Sequence, residues 1–146
     1  ALSDDWNIFR KVGHVLSNGS AAILPFVMTG NGLVRTFMYD TIISQLAGGA
    51  ATSFTDVNVA SSVPLGKKKV HLVAALTPAT AANQVKLRTN GLAATAGNVR
   101  MSGDVAAVVH TDTIDVVCDA SAIFEYLVSN ASDAVTLSVA GYEEVL

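Results

Sequence analysis

The sequence predicts an all-β chain, an antiparallel β-sandwich or jelly roll of about eight to ten strands, forming one domain over residues 1–146. Three observations lead there. Apolar residues recur with a period of two, not 3.6: Leu33, Arg35, Phe37 and Tyr39 alternate with Val34, Thr36 and Met38. Turn signals separate these runs, namely Asn18-Gly19, Asn31-Gly32, Ala47-Gly48-Gly49 and Asn90-Gly91, and Asn-Gly supplies the positive φ angles that tight hairpins need. Finally, the alanine-rich stretches TPATAAN (77–83) and LAATAGN (92–98) carry threonine, glycine or proline and no apolar stripe. They read as loops or a short turn of helix.

Taken in order, an extended arm at 1–8 leads into a strand-like run at 8–16, IFRKVGHVL. Gly13 within it marks a bulge or a close backbone approach. The next run is AILPFVM at 22–28, where Pro25 lacks a ladder donor and belongs on an edge or at a bend. A strand at 33–39 follows, then a flexible loop over 47–56, AGGAATSFTD, overlapping a run at 53–59. VHLVAAL (70–76), the alternating segment 83–89, VAAVVH (105–110), TIDVVC (113–118) and IFEYLVS (123–129) supply the middle strands. The last is 135–139, where Val135, Leu137 and Val139 alternate with Thr136 and Ser138.

Composition narrows function. The chain is 51% hydrophobic and 14% charged, against about 25% charged in ordinary soluble domains. Weakly polar surface of this kind is commonly covered by another subunit, so self-association is the first functional expectation. With nine Lys and Arg against twelve Asp and Glu, no concentrated basic face is available for nucleic acid. Lys67, Lys68 and Lys69 read as a solvated guard on an exposed strand. Asp4-Asp5 and Glu143-Glu144 read as solubilising charge at the two ends. No run approaches the ~18 apolar residues of a membrane helix, so no membrane insertion is expected. A charged stretch followed by an apolar one is missing from the start, so no secretory leader is expected. The acceptor-like Asn18-Gly19-Ser20 and Asn130-Ala131-Ser132 are then simply turns.

Reactive chemistry is sparse. His14, His71 and His110 lie in separate runs without ligand spacing. Asp104, Asp112, Asp115 and Asp119 lack the dense oxygen ligands and central glycine of a calcium loop. There is no Gly-x-Ser-x-Gly elbow, no phosphate-binding glycine loop, and Cys118 reads as a buried thiol. The expectation is a non-enzymatic chain without cofactor or metal. Most of the aromatic residues fall on alternating strand positions and read as core. Trp6, near the terminus, packs either on the domain or on a neighbour.

The stretch FRKVGHVLSNGSAAILPF (9–26) resembles a pattern in virion proteins of tailed bacteriophages, of the fibre type or capsid decoration type. The matching residues are Phe9, Arg10, Lys11, Val12, Gly13, the turn Asn18-Gly19-Ser20, and 23–26. Residues 135–142, around TLSVAGY, resemble that family's closing strand, while Gly30-Asn31-Gly32-Leu33 departs from its Gly-Asp step. The resemblance implies a virion β-domain that assembles with copies of itself, a trimer foremost, and with other virion proteins such as the major capsid or fibre proteins. Host-surface contact through loops belongs to the fibre reading. The other reading is a capsid decoration (cement) protein stabilising the capsid lattice. Trp6, Phe9 and Arg10 are the candidate subunit contacts.

Overall fold

The computed structural model describes residues 14–17, 20–31, 33–93 and 99–145. Nine strands form among them: β1 (Phe26–Asn31), β2 (Val34–Gly49), β3 (Thr55–Asn58), β4 (Lys69–Thr77), β5 (Gln84–Thr89), β6 (Val99–Ser102), β7 (His110–Val117), β8 (Ile123–Val128) and β9 (Ala134–Val145). They make a five-stranded sheet ordered β1-β2-β9-β4-β7 and a four-stranded sheet ordered β3-β8-β5-β6. Every pairing is antiparallel. β2 pairs with β9, β3 with β8, β4 with β7 and β5 with β6. That is one long hairpin folded over into two sheets, the winding of a jelly roll. The expected all-β sandwich is the observed fold.

Alternation builds the core. Val70, Leu72, Ala74 and Leu76 of β4 point inward and are fully buried, while their odd-numbered neighbours are only partly covered. Val85 and Leu87 of β5 and Phe124, Tyr126 and Val128 of β8 meet them from the other sheet in one continuous cluster. The five-stranded sheet overhangs on the β1 side. There an aromatic group fills the gap: Phe37 stacks on Tyr142 at 4.8 Å between ring centroids, with Phe26 and Tyr39 tilted against the pair.

One irregularity in β9 makes that group possible. Val139 pairs with Ile43 and Leu72, and Gly141 pairs with Met38 and His71, so Ala140 has no partner on either side. This bulge shifts the inward phase from odd to even numbers, and Tyr142 and Glu144 therefore point inside. Gly141 is required by space: a Cβ there would lie 2.1 Å from the Phe37 carbonyl oxygen. On the β2 side, three extra residues accumulate between Met38 and Ile43, and β2 swells outward over 39–42.

Several sequence expectations are corrected. Of the run 105–110 only His110 is in a strand, as the first residue of β7. Residues 105–109 form the β6–β7 loop, with Ala107 in the left-handed region at φ 59°, because β6 pairs at 99–102 instead. That strand escaped the sequence reading. Gly48 and Gly49 belong to β2, which leaves a loop of only 50–54. Residues 14–16 are irregular, followed by an isolated bridge between Ser17 and Ile23 and held by the Leu24 N–H donating to the Leu16 carbonyl at 2.9 Å, and β1 starts only at Phe26, just after Pro25. The arm at 1–8 and the contacts proposed for Trp6, Phe9 and Arg10 lie outside the described residues.

Gly141→Ala is expected to destabilise by about 3 kcal/mol or more, since backbone cannot yield as a side chain does. Gly91→Ala, at a turn with φ 77° and nothing within 4 Å, is expected to cost about 1 kcal/mol. Urea denaturation midpoints of the two variants check the ranking.

Candidate functional site

Each histidine has its own separate partner. His14 approaches Glu144 with its ring Nδ1 at 2.6 Å from Oε1, and its backbone N–H donates to Oε2 at 3.0 Å. His71 Nδ1 lies 2.6 Å from Asp115 Oδ1 on the outer face, its Nε2 buried without a partner. His110 Nε2 is 3.2 Å from the backbone of Val105. Of the four aspartates weighed as calcium ligands, Asp119 instead accepts the N–H groups of Ser121 and Ile123 at 2.8 and 2.9 Å, closing the β7–β8 turn. Among the described residues no three His, Cys, Asp or Glu side chains are grouped to hold a metal.

Two charges that the sequence assigned to solvent lie inside. Glu144 is fully buried, because the β9 bulge turns it inward two residues after Tyr142. Lys68 is buried with it and donates to Oε1 at 3.2 Å, so of the three adjacent lysines only Lys67 is fully exposed. Tyr142 donates its hydroxyl to the His14 carbonyl. The arrangement is a structural clamp on the start of the described chain. Lys69 and Glu143 pair at 2.9 Å on the outer face beside Asp115. On the other sheet Arg88 forks onto Glu125 at 2.7 and 3.1 Å and covers Phe54, with 3.7 Å to the ring centroid. Cys118 is buried as expected; burial pushes its thiol pKa up and keeps the less reactive form.

Apolar exposure is concentrated. One group surrounds the β1–β2 hairpin: Val27, Leu33, Val34, Met38 and the adjacent Val145. Another is the β6–β7 loop, where Val105, Val108 and Val109 are 54%, 49% and 61% exposed. A pocket of about 230 Å³, lined by Leu24, Pro25, Tyr39, Asp40, Thr41 and Ile43, opens where β2 swells. A smaller one of about 120 Å³ lies between Lys69, Thr89, Val99 and Asp115. Both are below the roughly 300–1,000 Å³ of small-molecule sites. Sequence reasoning missed the loop because VAAVV looks like a buried strand. The available signal was its lack of any polar alternation. The pocket left no sequence signal, since it depends on register.

No family model matches the chain, and no curated protein matches it.

Two outcomes test the interior. Lys68→Met strands a buried carboxylate beside His14 and is expected to cost about 3–5 kcal/mol in chemical denaturation. Tyr39 donates to the Ser62 carbonyl at 2.5 Å, and burial pushes its phenol up to about 12 from 10.0. The raised pKa means the fold favours the neutral phenol. That contribution is full below pH 10 and is lost as pH rises from 10 towards about 12, to be read as an unfolding midpoint that falls more steeply in Tyr39 than in Tyr39→Phe protein, where the phenol of Tyr142, also raised by burial, still contributes.

Proposed function

We propose that this chain is a non-enzymatic structural domain of a bacteriophage virion, the head of a fibre or spike in which copies join as a symmetric trimer, with loops available for the host surface. The observation that carries the reading is the pairing of a well-filled jelly-roll core with exposed valines, leucine and methionine gathered at two places. Scattered apolar residues need no explanation, but gathered ones mark a surface that another protein covers. The jelly roll is a fold of viral capsid proteins, lectins and cupins alike, so it supports the reading only by analogy.

A second reading is favoured by β1. Its sequence, FVMTGN, carries no charge, whereas Asp56 lies on edge strand β3, Arg100 on β6 and Asp112 on β7. Charge on an edge strand discourages pairing with another chain. A bare edge suits a decoration protein that adds its sheet to the edge of a capsid subunit.

Light scattering on the chromatographed chain, followed by co-sedimentation with phage shells, decides between them. A stable trimer that ignores shells supports the fibre head; a monomer that pellets only with shells supports the decoration protein. A monomer that binds no shell overturns both.

A further inference from the structure

We propose that copies of this chain join head to tail, the apolar β6–β7 loop of one entering the pocket beside β2 of the next. This rests on the symmetric-oligomer reading and names the surfaces that meet. The loop is a preformed knob. Residues 105–109 are Val-Ala-Ala-Val-Val, all exposed and uncharged. They are held in place by the Ala107 N–H donating to the Pro78 carbonyl at 2.8 Å and by His110 against the Val105 backbone at 3.2 Å. Ala107 stays in the left-handed region, at φ 59°, which a side chain adopts only when its surroundings dictate it. A knob already fixed in shape loses little entropy on docking.

The pocket has matching chemistry and size. Its wall is made by Leu24, Pro25, Tyr39 and Ile43, and the exposed Ile23 and Ile42 flank that wall in sequence. At about 230 Å³ it exceeds the ~30 Å³ of a water several-fold and falls short of a small-molecule site, which suits branched aliphatic side chains. Asp40, the charged residue in the lining, is exposed. An apolar knob entering the wall therefore need not strip a carboxylate of water.

Topology decides who provides the knob. The loop leads into β7, at one edge of the five-stranded sheet, and the pocket lies at β2 and the approach to β1, at the other. β9 and β4 stand between them, so the loop cannot reach the pocket of its own chain. Two different surfaces on opposite flanks make a heterologous contact, which closes into a ring when the rotation permits. A second copy therefore fits both features at once, and a three-membered ring uses every knob and every pocket.

The test uses the full chain. One variant charges the knob, Val108→Asp with Val109→Asp. Another fills the pocket, Thr41→Trp, with Ile42→Ser, an exposed position between the lining residues Thr41 and Ile43, as a milder change; thermal melts by circular dichroism confirm folding. Wild-type protein is expected to form a trimer in sedimentation velocity, the knob-charged and Thr41→Trp variants each to associate at least tenfold more weakly, and Ile42→Ser at least threefold more weakly. Mixing the knob-charged and pocket-filled proteins restores one intact knob and one open pocket, so the mixture is expected to give heterodimers and nothing larger. If the Thr41→Trp chain fails to fold, Ile42→Ser must still weaken the trimer at least threefold. A trimer that survives all the substitutions overturns this contact, leaves assembly through other surfaces standing and reserves the pocket for another occupant. A mixture that stays monomeric overturns it too. A wild-type monomer at every concentration overturns both the contact and the trimeric reading.

Discussion

The extra residue in β9 is the constraint from which the rest of the molecule follows. Ala140 sits unpaired between β2 and β4, the strands that flank β9. Without it, Tyr142 and Glu144 would face outward and the overhang on the β1 side would have no interior. With it, Tyr142 stacks on Phe37, Glu144 meets Lys68 and His14, and the outward row passes to Gly141, over which Met38 lies. A single added residue thus exchanges Gly141 and Glu143 for Tyr142 and Glu144 at the inward positions. The burial of Glu144 is tolerated because Lys68 of the β3–β4 loop pairs with it, and the ring and backbone N–H of His14 meet it from the segment before β1.

The fold class was legible because it rests on local alternation. Val70, Leu72, Ala74 and Leu76, or Val85 and Leu87, state their facing in the sequence itself, and Asn90-Gly91 makes the turn that its residue types predict. What alternation cannot show is a change of phase. Counting by twos from Val135 sends Tyr142 and Glu144 to solvent, and only the ladder with β2 and β4 reveals the skip. For the same reason Lys68 looked like one of three equivalent lysines. Its partner lies 76 residues away, beyond the reach of any window.

The surface was less legible than the core. Residues 105–109 have the composition of a buried strand, yet the four-residue β6 had already taken the place beside β5. The loop must instead cross from one sheet to the other to begin β7, and Pro78 fixes its path through Ala107. The pocket is still more remote from sequence. Leu24 and Ile43 become neighbours of one cavity only because β2 accommodates surplus residues against β9. The histidines show the converse: dispersed along the sequence, they stay dispersed in space, each tied to a different group.

The folded-over hairpin has a consequence for how the chain reaches this state. β9 lies between β2 and β4, so the larger sheet is two separate pieces until residues 134–145 are available to bridge them. Pairing of this separation makes closure slow, because the loop entropy must be surrendered before the contacts return anything. During synthesis the early strands would wait with apolar inner faces open. Aggregation through those open faces therefore competes with folding until β9 closes the sheet.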